Sequence, residues 1–371
     1  MKKVEAFISY STPQETFWKH YNTLWQNSDP QSVFYIPALV RYFMNKYVGD
    51  TATYQYWVDD ELLGVGFFRK ENKVFHFLSD VRSDLNFFVL SAPCHHGERI
   101  AFFDNFFHQA RTQKWNLLLN KIPAWVAPFE SMLQAAQSNS SFVSRFTYGL
   151  SPYISDSTPA ALFERMVISK NVQYKSRRLF RNFPVRFEVH TGVEDLRQWA
   201  DDFMTMHMER WDQTDSPSKY HNQEERMLLL ECLQIWAREG ILVRTSLVVE
   251  NQRIATNFGL LQGDVFVGQG QGYKMSFYKH SPGKVLFSYL LEWMRDHGIK
   301  GLDFGDGDDP YKYEFPVSDR KLERIQIANR LSFRFIITAY LQKEIKRRPK
   351  LKNVFTHQLK PILYRATHLF N

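Results

Sequence analysis

Residues 301–315 read GLDFGDGDDPYKYEF, which places four aspartates, three glycines, two tyrosines and one lysine in a single short stretch. Three chemistries suit such a density: carboxylates around a calcium ion, turn amides around a phosphate, or acids, phenols and an amine lining a reaction centre. An EF-hand loop needs acidic or amide ligands at positions 1, 3 and 5, glycine at 6 and glutamate at 12, between two helices. Counted from Asp303, Glu314 does fall at position 12, but positions 3 and 5 are Gly305 and Gly307, and position 6 is Asp308. The pattern before it reads as a strand, so ligand spacing disfavours calcium. A nucleotide P-loop fails too: SPGK at 281–284 lacks the GxxxxGK[ST] frame, and Val285 follows Lys284. Yet Gly283 opens a helical pattern straight after a strand and the basic loop YKHSPG. A helix start of this kind presents unpaired amides and the positive end of the helix dipole, which suit a pyrophosphate. The plain alternative is Ser281 as an ordinary N-cap with Pro282 at the first helical position.

The elements around these motifs repeat. VRFEVH (185–190) alternates as a strand; VEDLRQWADDFMTMHMERW and EERMLLLECLQIWAREG carry apolar residues three and four apart, as helices do. ILVRTSLVVENQRIATNFGLLQGDVFVGQGQGY reads as a three-strand meander, KVLFSYLLEWMRDHG as a helix and IKGLDFG as a strand. The first half follows the same order: VEAFIS, two helical patterns, strands in TYQYWVDDELLGVGFFRKENKVFHFL, the glycine-led helix GERIAFFDNFFHQARTQKW and the strand NLLLNKI. Gly97 stands as far before Leu117 as Gly283 stands before Asp303, and this equal spacing suggests a duplicated unit. The boundary is expected in the Ser- and Pro-rich stretch 149–160, with ALFERMVISKNVQYKSRRLF as the helix entering the second unit.

A chain of 371 residues, 44% apolar and 16% aromatic, supports two cores. It has no apolar run of spanning length, and MKKVEAFISYS lacks the apolar core of a signal peptide, so a cytoplasmic protein is expected. Cys94 and Cys232 make no disulfide framework, and Cys94, His95 and His96 lack a second ligand pair, so no metal is expected. The net charge of +8 is local: nine of 47 basic residues but only one of 39 acids lie from Ser332 onward, leaving 38 of each before it. Such a tail reads either as a solvated amphipathic helix pair or as a contact for anionic lipid, polysaccharide or RNA.

SPGKVL, the helix after it and GLDFGDGDDPYKYEF together resemble the GNAT acyltransferase superfamily. Within it the closer resemblance is to the CelD-like, cellulose-biosynthesis ("Acetyltransferase 6") branch, related to the FemAB transferases. NVQYKSRRLF and FMTMHMERW match a basic helix and a helix ending in Arg-Trp in that group. The resemblance implies an α+β (α/β) fold of tandem GNAT-like domains, each a mixed, mostly antiparallel sheet flanked by helices. Their expected bounds are 1–155 for a degenerate first copy, 156–335 for the acyltransferase domain and 336–371 for a basic helical tail. It implies an acyl-CoA-dependent N-acyltransferase whose small-molecule acceptor is an amino sugar, amino acid or cell-envelope precursor. Acetyl-CoA or another acyl-CoA would be held by Lys279, His280, Ser281, Gly283 and Lys284, although Val285 stands where the superfamily prefers a small residue. Glu98 would repel a phosphate at the corresponding place of the first half. Acyl transfer to an amine needs a base, oxyanion donors and an acid for the thiolate. Asp303 and Asp308 are the candidate bases, Tyr311 or Tyr313 the acid and Lys312 the oxyanion or acceptor ligand. His207, Glu209, Arg210 and Trp211 would border the acceptor groove. The second reading is a FemAB-like aminoacyl-tRNA-dependent transferase, although the neutral body offers no broad basic face and argues against nucleic acid. The third is a noncatalytic scaffold docked through residues 341–371 to an anionic membrane or polysaccharide at the inner membrane surface.

Overall fold

The computed structural model describes residues 3–214, 217–330 and 335–337. The tail expected from residue 336 therefore lies, beyond residue 337, outside the described residues. The chain forms two compact units: one holds Met1–Ser151 with Asp306–Asp308 and the stretch from Asp319, the other Pro152–Gly305 with Asp309–Ser318.

The first unit runs β1 (Val4–Ser9), α1 (Glu15–Gln26), α2 (Pro37–Lys46), β2 (Thr51–Val58), β3 (Glu61–Glu71), β4 (Val74–Phe77), β5 (Val89–Leu90), α3 (His96–Thr112), β6 (Asn116–Pro123), α4 (Phe129–Asn139) and β7 (Val143–Ser155). Strands β1 to β4 pair antiparallel in succession, and β4 then pairs parallel with β6. Parallel neighbours need a crossover, and α3 supplies it. Its Phe102, Phe103, Phe106, Phe107 and Ala110 recur three and four apart, so one helix face is buried against the sheet. The core is built from rings: Phe106 stacks on Phe68 with centroids 5.2 Å apart.

The second unit contains α5 (Pro159–Arg165), α6 (Lys170–Asn182), β8 (Val185–His190), α7 (Leu196–Trp211), α8 (Gln223–Arg238), β9 (Leu242–Val249), β10 (Gln252–Gln262), β11 (Val265–Tyr273), α9 (Pro282–Asp296) and β12 (Gly301–Asp303). Its pairing repeats that of the first: β8 to β11 are antiparallel in succession, and β11 is parallel to β12 across α9. The end of β7, Tyr153–Ser155, pairs antiparallel with β12. Each unit is thus a mixed, mostly antiparallel sheet flanked by helices, the expected fold class.

The two units part after Ser151, inside the stretch 149–160 where the boundary is expected, and residues 149–155 form the second half of β7, because their backbone finds strand partners in spite of their composition. Two local expectations differ from the structure. The helix expected across residues 161–180 breaks between α5 and α6, where Ser169 caps the new helix by accepting the Val172 N–H. The last strand, β13 (Ser318–Ala328), has no counterpart among the elements expected above: SDRKLERIQIA is too charged to look like a strand, yet it lies beside β6 in the sheet of the first unit.

Candidate active site

Strands β11 and β12 stay paired only from Val265↔Gly301 to Val267↔Asp303. From Gly268 to Tyr273, β11 keeps β10 as its strand partner and runs on toward the start of α9. Here Gly268, Gly270 and Gly272 alternate with Gln269, Gln271 and Tyr273, and Gly270 and Gly272 both face α7. A Cβ on Gly270 would stand 2.7 Å from the Phe258 ring, and one on Gly272 3.1 Å from Met206 Cβ. Glycine on this face lets α7 lie close to the strand. The last turn of α7 then carries the Arg210 guanidinium over the Tyr273 ring at 5.2 Å.

Gln271 Nε2 donates to the Gly283 carbonyl at 2.8 Å, tying β11 to the second residue of α9. A Cβ on Gly283 would lie 3.1 Å from that Nε2 and 3.2 Å from Tyr273 Cδ1. Gly97 is likewise the second residue of α3, but a Cβ there would meet nothing within 4 Å. The two matching glycines therefore differ in their surroundings: Gly283 is tightly packed and Gly97 is open.

Ser281 does not cap α9 as an ordinary N-cap would. Its φ of 48° is left-handed, and its Oγ accepts from Lys175 Nζ at 2.7 Å. The Ser281 carbonyl takes the Lys284 and Val285 N–H groups, and the Gly283 N–H has no partner among the described residues. Cations collect at this end: Lys175 and Arg178 come from α6, and Lys279 from the helical turn just before Ser281. Burial, with Arg178 and Lys175, lowers the His280 pKa below its ordinary value and favours the neutral imidazole. Lys284, further along, is paired with Glu314 on the surface. Such exposed pairs contribute about 0–1 kcal/mol, so Lys284 can exchange Glu314 for an anion. The start of α3 is arranged oppositely: the His95 N–H donates to the Glu98 carboxylate at 3.1 Å, which sets a negative charge on that helix end.

Past β12 the chain turns through Gly305 and Gly307, whose φ values of 70° and 111° need glycine. Asp303 is buried, and its Oδ1 accepts the Gly305 N–H at 2.9 Å. Lys312, in the helical turn Pro310–Glu314, is 2% exposed, with Nζ 3.4 Å from the Gly305 carbonyl and 3.7 Å from Asp309 Oδ2. Tyr311 keeps 37% of its surface, yet the protein packed around it raises its pKa to about 12, with Asp309 adding to the rise and Arg210 opposing it. The phenol therefore holds its proton at neutral pH and has Arg210 within electrostatic reach. His207 Nδ1 lies 2.8 Å from Ser218 Oγ, and burial, then Lys219 and Arg210, lower its pKa to about 4. It packs between the rings of Trp211 and Tyr220, at 5.6 and 5.0 Å.

Residues 168–313, which take in α6, the end of α7, β11, the start of α9 and the turn through Lys312, match the family model described as the acetyltransferase (GNAT) domain. This stretch is a GNAT acyltransferase domain. No curated protein matches the chain in sequence. Among solved structures, the chain is similar to FemX, with 11% identity and a TM-score of 0.59 over 87% of this chain and 98% of that one. A conserved protein of unknown function from Bacteroides thetaiotaomicron gives 11% and 0.55 over 86% and 99%. L-PGS from Bacillus licheniformis gives 13% and 0.52 over 83% and 97%. At such identities the likeness is one of fold.

Within the GNAT domain the structure sets Asp303, Tyr311 and Lys312 around one turn, and Lys279, His280, Ser281 and Gly283 around one helix start. Arg210 joins the first group; Glu209 is exposed, while His207 and Trp211 pack against one another. Asp308, in the same turn of the chain, is exposed. Lys175, Gln271 and Tyr273 also stand at the start of α9, and the sequence reading does not reach them. The basic helix KNVQYKSRRLFRN and the alternating GQGQGY carry the signal, but neither shows what it faces. Among the described residues no helix is long and apolar enough to cross a membrane.

Proposed function

We propose that the GNAT domain transfers an acyl group from acyl-CoA to an amine of a small acceptor, with an amino sugar, an amino acid or a cell-envelope precursor as the class. The observation that carries this reading is the start of α9: no side-chain cap, a Gly283 N–H without a partner among the described residues, tight space for a Cβ, and Lys175 on the Ser281 hydroxyl. Amides, dipole and cations converge there as a diphosphate requires. Ser281, Gly283, Lys175 and Lys279 would hold the donor's pyrophosphate, and Lys284 would join on leaving Glu314. When bound, the thioester supplies the activated acyl group.

The chain's own groups account for the protons. Asp303 takes one proton from the acceptor ammonium, the freed amine then forms the N–C bond and sheds a second proton that makes good the one Tyr311 gives up, and Lys312 and the turn it braces set the charge around the carbonyl oxygen. Tyr311, protonated at neutral pH, gives its proton to the sulfur as the C–S bond breaks. Arg210, beside Tyr273 and Tyr311, positions an acceptor carboxylate or phosphate.

Calorimetric titration with acetyl-CoA and longer acyl-CoA species, followed by thiol release in an acceptor screen, tests the reading. Binding that Ser281→Glu weakens at least tenfold, with turnover that Asp303→Asn removes while the fold is kept, is the expected result. No binding of any acyl-CoA, or transfer from charged tRNA in its place, sinks it.

A further inference from the structure

The first unit contains a cavity of about 550 Å³ whose lining carries four cations, Lys70, Lys73, Lys114 and Arg330, and no carboxylate among the described residues. None of the four has an ion-pair partner among the described residues, and the neighbouring Glu71 is held by Arg69 at 2.8 Å. The cavity lies at the starts of β4 and β6 and the last turn of α3. The whole length of α3 separates it from the helix end that corresponds to the start of α9.

Two of these lysines stand where glycine is the relaxed choice. Asn72 and Lys73 have φ values of 50° and 68° in the β3–β4 hairpin, a turn that favours Asn-Gly. Lys114, with φ 55°, closes α3 at the left-handed position usually taken by glycine, and the Trp115 N–H reaches back to the Ala110 carbonyl at 2.8 Å. The dipole at the end of α3 is about half a charge, so it accounts for one cation and not for four. The cavity also has an aromatic wall. Trp115 stacks on Phe75 at 3.8 Å, and its N–H donates to the Tyr10 hydroxyl at 2.8 Å, which in turn donates to Gln113. Tyr10 is thereby pinned while 56% of it stays exposed, a fixed face for a flat ring.

We infer that this cavity binds a diphosphate ester of nucleotide size, with the phosphates among Lys70, Lys73, Lys114 and Arg330 and the ring against Tyr10. A cavity of this volume falls in the range of small-molecule sites, and a terminal diphosphate ester brings about three negative charges to four cations, against about two for a monophosphate and one for a carboxylate. The site is independent of the acyl-donor site in the second unit.

Calorimetry on the full chain at low salt, with ADP, AMP and inorganic pyrophosphate as probes, tests it. The wild type should bind ADP at least tenfold more tightly than AMP, and more weakly as salt rises. Lys73→Gly with Lys114→Gly should weaken ADP at least tenfold without lowering the melting temperature, because glycine relieves both turns. Lys175→Ala, at the other site, should leave that double-variant effect intact. No binding of ADP or pyrophosphate at millimolar concentration, or binding the double variant does not change, overturns the proposal. Binding confined to vesicles of phosphatidylcholine and phosphatidylglycerol also overturns it, in favour of a lipid surface.

Discussion

Asp303 and Lys312 hold opposite ends of one residue: the Asp303 carboxylate accepts the N–H of Gly305 at 2.9 Å, and the Lys312 ammonium points at its carbonyl from 3.4 Å. The buried pair thus braces the turn while keeping a carboxylate and a cation at the end of β12. Methionine at 312 matches the volume and removes the charge. Lys312→Met is expected to lower stability by about 3–5 kcal/mol, as removing one partner of a buried charged pair does, and to lower turnover about tenfold or more. Thermal unfolding beside thiol-release kinetics reads both numbers, and unchanged turnover would remove Lys312 from the site.

Lys175 and Ser281 meet across 106 residues of sequence. Lys175→Ala should weaken acyl-CoA binding about tenfold, the worth of one charge-assisted contact, with turnover at saturation nearly unchanged. Calorimetry and a KM-against-kcat comparison separate the two effects.

Gly97 and Gly283 offer a paired test. A methyl at Gly97 stands in open space near the start of α3, whereas one at Gly283 forces Gln271 and Tyr273 aside. Alanine is favoured over glycine within a helix, so Gly97→Ala should stabilise the chain by roughly 0.5–1 kcal/mol. Gly283→Ala should destabilise it by about 1 kcal/mol through overpacking, while abolishing tight donor binding. Equal melting temperatures for the two variants would contradict the contact geometry.

His207 makes folding sensitive to acid. Its pKa is about 4 in the fold, below the ordinary 6.5, so the unfolded chain takes up a proton that the folded chain refuses. The penalty is absent above the ordinary pKa and grows as pH falls from 6.5 toward 4. It reaches about 2–3 kcal/mol, since each pKa unit is worth about 1.4 kcal/mol. Denaturant titrations of wild type and His207→Gln across that window should show a shallower acid loss in the variant; parallel curves would refute this origin.

Tyr311→Phe removes a phenol whose pKa of about 12 keeps it protonated. A fall of about 100-fold in kcat with little change in donor affinity is expected of a lost general acid. Stopped-flow thiol release and equilibrium titration measure the two, and wild-type kcat in the variant would assign the proton to another group.

Much of the fold is legible in the sequence because its signals are local. The alternation of VRFEVH marks β8 to the residue, and the equal glycine-to-strand spacings point to two helices that each link a parallel strand pair. Where local composition and long-range pairing disagree, as in GLSPYIS and SDRKLERIQIA, pairing prevails, since a strand is stabilised by partners that its own residues do not reveal.

The amino-acid sequence by itself determined most of the element order within the two units, disfavoured calcium and P-loop chemistry by spacing, and put Gly283 and Asp303 at a helix start and a strand end. Only the tertiary structure decided that Gly283 is crowded by Gln271 while Gly97 is not, and that Lys175 serves Ser281. It also buried Asp303 and Lys312 while leaving Asp308, close to both in the chain, exposed. Spacing sets which way a residue points along its own helix or strand; what it meets there depends on packing between segments far apart in the chain.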